Sequence, residues 1–536
     1  MAEPLRCVSA DRVITGWDFS TGSVKCLAFD LDGNTLAQVR LDTDLWTPPH
    51  RATLSYRTVD GESALAADFL VASGVSELNV LQLEGQARAS TRAIADLLGE
   101  MGRLDRWVAG GISATHHTAG RIDRHRVPVR RAICWNDHTL PRYHRRGLER
   151  LGGQERVREL IGGPWASRYT LSHLLKDEEQ LKEVDWKRTW RILPHGALAA
   201  GFLTGNFEVV SVSAAASTGI MDLRTNTWCR AMLDALEQEE HRTLAWEQLP
   251  AIVDHNQPIG QLSESLALEV GLDSQRPLIF PTSDDQQAGL VGGGAVDSGQ
   301  MAVILGNSAV VNVSSDRLLP ASSELDAMRL NWGPYLWMRC YNNGAQFLDP
   351  LVGANPDWAA LEQLGQACPP GGTEWGVLPF SAPEPSLGIL EPRVRWYPRE
   401  PTDPGRRFRT GLEALAYLIK RGVREHEQAG QTISQIIVSG GIARSNLMCK
   451  ILATVLGRKI HRLVSDEGPA LGAAVTALAS LENDLRHQQG ITTPYTVADA
   501  VAQLVRFRDP VEPTEAETAT YQQGYEAFER VVSGEW

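Results

Sequence analysis

Short runs of β-branched and apolar residues alternate along this chain with longer segments whose apolar positions return every three or four residues, the rhythm of an α/β protein. Val13–Asp18 reads as a strand and Lys25–Asp30 as its antiparallel neighbour, after which Asp32-Gly33 turns the chain toward a third run near Leu36. Met301–Leu305 and Val310–Val313 repeat that layout about 290 residues later, so the pattern predicts two related halves rather than one continuous sheet. Between them, Glu84–Leu98 has helical spacing and is followed by a strand at Trp107–Ser113. Thr410–Ala429 predicts a helix opened by a capping box of Thr410 and Glu413 and stopped by Gly430. Ile436–Val438 then reads as a strand, Gly440-Gly441 as a tight turn and Ser445–Leu456 as a helix. Gly468–Ala474 starts a helix with one small face that a neighbour must approach closely. Pro369–Gly372 and the charged run Arg393–Arg409 read as excursions outside the sheets, Arg486–Tyr495 as a linker, and the acidic stretch from Glu512 as a terminal surface helix.

A length of 536 residues predicts two or three domains, and 43% hydrophobic with 22% charged residues is the balance of a globular chain rather than a disordered one. The net charge of -13 repels nucleic acid and anionic lipid. The opening stretch MAEPLRCVSADRVITGWDFS has no apolar run of signal-peptide length, and no stretch of about 18 apolar residues appears. Seven cysteines, none in a two-residue pair and odd in number, point to reduced thiols and a cytoplasmic protein.

Five segments carry candidate chemistry. In Trp17-Asp18-Phe19-Ser20-Thr21-Gly22-Ser23-Val24-Lys25 a strand-end carboxylate precedes small hydroxylated residues, an arrangement that can bind phosphate oxygens and hold a hydrated Mg²⁺, or that is a plain hairpin turn. Leu305-Gly306-Asn307-Ser308-Ala309 is the matching turn of the second hairpin. Ser439–Asn446 places glycines between a strand and a helix, without the glycine spacing of a dinucleotide fingerprint or the lysine of a P-loop. Pro281–Gly289 contains tandem aspartates, Asp284 and Asp285, which serve either as helix caps or as a general base; at this level either one qualifies. Gly111–Thr118, followed by Cys134–Asp137, holds His116 and His117; neighbours on a strand point to opposite faces, so a joint metal site is not expected.

In this order the five segments resemble the FGGY carbohydrate kinases, from about Val13 to about Ala479. The resemblance implies a two-domain, duplicated actin-like ATPase (ribonuclease H-like) α/β fold with a cleft between the domains, divided as 1–265, 266–490 and a tail helix in 491–536. It makes Asp285 the catalytic base, with Asp284 in place of the usual glycine. It puts Asp18 and Asp285 near Mg²⁺, and Asp18, Thr21, Gly22 and Lys25 at the first phosphate turn. Gly306, Asn307 and Ser308 fall on the second phosphate turn, and Gly440, Gly441, Ala443 and Asn446 on the adenosine segment. His116, His117, Asp137 and Gln286 become the sugar contacts, His116 standing where the family has methionine. Asn307 replaces a threonine, Thr115 a glutamine and Ser211 a common aspartate, and of the acceptor-proximal segment only Ser76-Glu77 remains. The departures gather around the sugar rather than the nucleotide. The implied activity is ATP- and Mg²⁺-dependent phosphorylation of a ketopentose, D-xylulose first. The alternatives are another polyol (ribulose, ribitol, glycerol), a non-catalytic actin-like switch, and an idle sugar-binding regulator. The implied partners are the sugar and ATP, with no nucleic acid or membrane and with a homodimer allowed for. The fifteen tryptophans are assigned to core filling and ring stacking on sugar.

Overall fold

A computed structural model describes residues 6–534 except 47–50, 58–62, 71–73, 273–274, 282 and 466. Thr282 of the tandem-aspartate segment and the first five residues of the opening stretch therefore lie outside the described residues. The chain forms two compact units, each discontinuous in sequence: Met1–Ala288 with Met328–Gly333 and Gly472–Leu504, and Gly289–Ala327 with Pro334–Leu471 and Val505–Trp536. The divisions expected after residues 265 and 490 both fall inside the first unit.

The first unit is built on β1 (Val13–Phe19), β2 (Ser23–Asp30), β3 (Thr35–Asp42), β4 (Trp107–Ala114), β5 (Gly260–Gln261), β6 (Leu278–Ile279) and β7 (Ser283–Asp284). They form one sheet in the order β5-β6-β4-β1-β2-β3, with β7 also pairing β4. β1 and β4 are parallel, so a crossover must join them, and it contains the helix α1 (Val80–Glu100). Every residue of β1 is buried, as a strand covered on both faces requires. The tandem Gly110-Gly111 follows from this crowding. A Cβ on Gly110 would stand 2.4 Å from the Trp17 ring, and one on Gly111 would stand 2.0 Å from the Ala473 carbonyl oxygen. That carbonyl belongs to the small-faced helix foreseen at Gly468–Ala474, which closes on β4 backbone to backbone. Gly111→Ala should therefore cost about 1–3 kcal/mol or more, read as a lowered urea midpoint, because the obstacle is a backbone oxygen that no rotamer can move.

A second, five-stranded sheet in this unit contains Ala119–Ile122 and Pro128–Ile133. Asp177 of α2 (Thr170–Gln180) accepts Arg121 Nε from the first of these strands at 2.7 Å and Arg130 Nε from the second at 2.5 Å. The helix α3 (Asp285–Gly292) begins directly after β7.

The second unit repeats the first. β8 (Gln300–Leu305), β9 (Ala309–Ser315), β10 (Tyr335–Tyr341), β11 (Gln435–Ser439) and β12 (His461–Arg462) lie in the order β10-β9-β8-β11-β12. β8 and β9 are antiparallel while β8 and β11 are parallel, as β1 is with β2 and β4. The crossover before β11 includes α4 (Ala345–Val352) and α5 (Pro404–Gln428). α5 starts six residues before the expected capping box: Asp403 accepts the Arg406 N–H at 2.6 Å and Pro404 takes the first helical position. Glu413 instead accepts Arg409 Nε at 2.9 Å and the Gly371 N–H at 3.2 Å inside the core. The charged run lies outside the two large sheets but is ordered: Arg393–Tyr397 pairs with Gly376–Phe380 in a separate two-stranded sheet, and Pro404–Arg409 begins α5. After α6 (Asn446–Leu456) comes α7 (Gly468–Gln488), which occupies the start of the expected linker. The remainder is pinned by Asn483, whose side chain bonds both the N–H and the carbonyl of Tyr495. α8 (Glu515–Ser533) is more than a surface helix: Tyr521, Tyr525 and Phe528 are buried in the second unit. Five tryptophans, at 17, 107, 165, 186 and 337, are fully buried, which bears out core filling for those rings.

Candidate active site

β1, β4 and β7 run parallel, so their C-terminal ends share one edge of the sheet, and the register aligns Asp18 with Ser113 and Ser113 with Ser283. Residues separated by more than 260 positions are thereby brought to one edge, Asp18 near the end of β1 and Asp285 just past the end of β7. Asp18 is 6% exposed, and Ser113 Oγ donates to its Oδ1 at 2.9 Å. Lys25 is its cross-strand partner. Between them the turn is closed by Ser20, whose N–H and hydroxyl both donate to the Ser23 carbonyl. Thr21 Oγ1 accepts Trp135 Nε1 at 3.0 Å, a contact the sequence did not disclose, and nothing stands within 4 Å of a Cβ built on Gly22. The crown of this turn is open.

The tandem aspartates divide their work. Asp284 accepts the Gln287 N–H at 3.1 Å and Gln287 Nε2 at 3.0 Å, the capping contact of a helix start, and also accepts Ser213 Oγ at 3.2 Å. Asp285 begins the helix with its side chain 24% exposed, against 4% for Asp284. Burial pushes the Asp285 carboxyl up to about 6 against the pull of His116, and Asp284 adds to the rise. Gln286 follows in the same turn, half-buried.

His116 and His117 do not point to opposite faces. The strand ends at Ala114, His117 takes a left-handed φ of 59°, and the two rings stack at 4.2 Å and 5°. Tyr169 continues the stack on His117 at 4.2 Å and 14°. The alternation rule fails because it holds only while the chain remains a strand. Burial holds the His117 pKa well below its usual value, so the ring is neutral. Its Nδ1–H donates to the Ser217 carbonyl at 2.8 Å, which leaves Nε2 as an acceptor with no hydrogen-bond partner among the described residues. His116 Nε2 lies 2.8 Å from Asp284 Oδ2, and the His116 backbone N–H donates to Asp285 Oδ1 at 3.2 Å.

Asp137 is buried and bonded within the chain. Its Oδ2 accepts Lys176 Nζ at 2.8 Å and its Oδ1 accepts both the N–H and the hydroxyl of Thr139, all in the interior. These bonds fix the segment that carries Trp135. Ser211, where an aspartate is common, caps a short helix by accepting the Ala214 N–H at 3.1 Å.

In the second unit the turns after β8 and β11 touch. A Cβ on Gly440, which has a φ of 93°, would stand 2.4 Å from the Leu305 carbonyl oxygen. The Gly306 and Asn307 carbonyls accept the Ala345 and Gly344 N–H groups at the start of α4, at 2.8 and 2.9 Å. Asn307 is exposed, and Gly306 and Ser308 are half-buried. Gly441–Arg444 forms a 3₁₀ turn before α6. Gly440 and Ala443 line a small pocket together with Ser439, Arg444, Leu463, Arg462 and Arg508. Asn446 Oδ1 accepts Arg462 Nη1 at 2.7 Å. The guanidinium groups suit a ligand with anionic groups, and sequence reading missed them because Arg462 and Arg508 arrive from separate segments.

Oxygen donors at Asp18 and Asp285 suit Mg²⁺, which favours carboxylates and retained water. His116, Asp284 and Asp285 also place three donor atoms within 4.8 Å of one another.

Two copies of one strand order, each with a small-residue turn after its first strand, define a duplicated ATPase fold of the actin-like type. The family models agree: the N-terminal domain of the FGGY family of carbohydrate kinases matches residues 83–292 and its C-terminal domain matches 396–481, together more than half of the chain. The chain belongs to this family and is a carbohydrate kinase that uses ATP. A curated relative, the xylulose kinase of Haemophilus influenzae, is 26% identical over 380 residues, covering 69% of this chain and 74% of its own. Among solved structures, a "xyloylose kinase" from Brucella ovis superposes with a TM-score of 0.79 at 21% identity, covering 98% of this chain and 99% of that one. A gluconate kinase from Lactobacillus acidophilus does so with a TM-score of 0.80 at 18% identity, covering 98% of each. Both likenesses bear on the fold alone. Among the described residues no helix is long and apolar enough to cross a membrane.

Proposed function

We propose that the protein transfers the γ-phosphoryl group of ATP to the terminal hydroxyl of a ketopentose, forming D-xylulose 5-phosphate from D-xylulose. The observation that carries this reading is Asp285, a partly open carboxylate whose pKa is raised to about 6, beside His116, on which stacks His117, whose buried Nε2 awaits a donor. A sugar hydroxyl is such a donor. Asp285 accepts the proton of the attacking hydroxyl as the new P–O bond forms and the bond to the β-phosphate oxygen breaks, and ADP leaves. His117 Nε2 accepts from a second sugar hydroxyl, and Tyr169 holds that ring in place. The open turn at Thr21 and Gly22 and the turn at Gly306–Ser308 receive phosphate oxygens. The turn of Gly440 and Ala443 borders the nucleotide. Mg²⁺, held by Asp18, would supply charge neutralisation on the phosphates.

The base works only when ionised, so acceptor-dependent kcat/KM should fall as the pH drops through about 6. An exposed carboxylate would place that limb near 4. A limb near 4, or none, would remove Asp285 as the base. A second reading, another polyol as acceptor, is favoured by the departures Thr115, His116 and Asp284 beside the acceptor. ADP release with Mg²⁺-ATP and a panel of ketoses and polyols decides between them. D-xylulose should give the highest kcat/KM; a higher value with ribulose, ribitol or glycerol reassigns the acceptor, and no sugar-stimulated ADP at all removes the reading.

A further inference from the structure

Trp135 Nε1 donates to Thr21 Oγ1 at 3.0 Å, joining segments 114 residues apart within the first unit. An indole N–H donates and cannot accept, so one lone pair of the Thr21 oxygen is committed and the hydroxyl hydrogen points away from the ring. Thr21 Oγ1 also stands 3.4 Å from Thr115 Oγ1. Thr115 gives its own hydrogen to the Phe19 carbonyl at 3.1 Å, so in that long contact Thr21 is the donor, and a closer anionic oxygen displaces it. The Ser20 hydroxyl is turned inward onto the Ser23 carbonyl at 2.8 Å, which leaves Thr21 to meet a ligand at the open crown of the turn. Trp135 is itself anchored on both sides. The Cys134 N–H donates to the Ser76 carbonyl at 3.0 Å, and Asp137, two residues on, accepts Lys176 Nζ at 2.8 Å.

We propose that Trp135 is a positioning residue for phosphoryl transfer: its N–H fixes the Thr21 side chain so that the Thr21 hydroxyl serves as a donor aimed at the terminal phosphate of ATP. A hydroxyl free to rotate presents a lone pair to an anionic oxygen as readily as a hydrogen, and a lone pair there repels. Thr21 follows the C-terminal end of β1, on the sheet edge that carries Asp285 just past β7, so the phosphate it meets is the one transferred. This inference rests on the proposed sugar phosphorylation and adds to it a residue that acts through Thr21.

The test is Trp135→Phe, which keeps an aromatic ring and removes the N–H, followed by nucleotide titration and by ADP release with D-xylulose. Affinity for Mg²⁺-ATP should fall about 3–10-fold, the scale of one net hydrogen bond, and kcat/KM for ATP should fall with it. Affinity for AMP, which lacks the terminal phosphates, and KM for D-xylulose should both stay within about twofold, a split that general loosening of the fold would not produce. In Thr21→Val, where no hydroxyl remains to be oriented, adding Trp135→Phe should cost no more than about twofold further in ATP affinity. In Thr21→Ser, which keeps the hydroxyl, Trp135→Phe should act as it does in the intact chain. If Trp135→Phe does not fold, 3-benzothienylalanine placed at position 135 gives the same comparison, because it keeps the bicyclic ring and puts sulfur where the N–H was. An unchanged ATP affinity, equal losses for ATP and AMP, or a loss as large in Thr21→Val as in the intact chain overturns the inference while leaving the kinase reading intact. Absence of sugar-stimulated ADP release with every acceptor in the intact protein overturns both.

Discussion

Asp285→Asn is expected to lower acceptor-dependent kcat by about 10²–10⁴-fold, with ATP affinity nearly unchanged. The substitution keeps size and shape, and asparagine Oδ1 can still accept the His116 N–H that the carboxylate accepts at 3.2 Å. What it removes is the capacity to take a proton. The range is wide because the transition state of phosphoryl transfer is largely dissociative, and a base there contributes more through orientation than through proton abstraction. ATP affinity should be spared because the groups proposed to face the nucleotide lie elsewhere, at the turns of Thr21, Asn307 and Gly440. The check is kcat from ADP release beside a nucleotide titration of the same preparation. Asp284→Asn serves as the control: its partners are Gln287, Ser213 and His116, so it should retain substantial turnover with D-xylulose. Full activity in Asp285→Asn together with its loss in Asp284→Asn would show that the base is the other carboxylate.

The second large effect concerns stability. Asp177→Asn should destabilise the first unit by about 3–5 kcal/mol, seen as a fall in the urea midpoint. Asp177 is 1% exposed, and its two oxygens bridge Arg121 and Arg130 from adjacent strands. Arg121 is completely buried, with its guanidinium 3.9 Å over the Trp186 ring, and burial already lowers its pKa to about 10. Without the carboxylate two cations remain in the interior with nothing to neutralise them, which is the expensive way to break a buried ion pair. The pH dependence follows the same logic. Burial alone would raise the Asp177 pKa, but Arg130 and Arg121 outweigh it and hold the carboxyl below its usual value. The ionised form is therefore the one the fold stabilises. That contribution is complete at neutral pH and is lost as the pH falls below the ordinary carboxylate range. An unchanged midpoint in Asp177→Asn would mean that the guanidinium groups are satisfied by Gln248 and the surrounding carbonyls alone.

Much of the fold was legible because it is local. The strands at Val13 and Met301, their tight turns, and the strand-turn-helix at Ile436–Leu456 emerged with small shifts at their ends. Side-chain period and turn chemistry act over a few residues and need no knowledge of the rest. The failures share one cause. Thr410 and Glu413 imitate a capping box, but Asp403-Pro404 lies earlier and captures the helix start. Arg393–Tyr397, read as an excursion outside the sheets, becomes a strand of a small separate sheet only because Gly376–Phe380 is available to pair with it. His116 and His117 were assigned opposite faces by a rule that lapses where the strand ends, at Ala114.

By itself the sequence determined the class of the protein: two related halves, a strand-end carboxylate in the first, tandem aspartates and glycine turns in order, and the family to which that order belongs. Tertiary structure decided which groups meet. It set Asp18 and Asp285 at one sheet edge, made Asp284 a cap and left Asp285 open, turned Asp137 inward to Lys176, and stacked His116 on His117. The reason lies in range. Propensity and spacing are set by neighbours along the chain, whereas the protonation, burial and partner of a side chain are set by segments hundreds of residues away that only the folded sheet brings alongside.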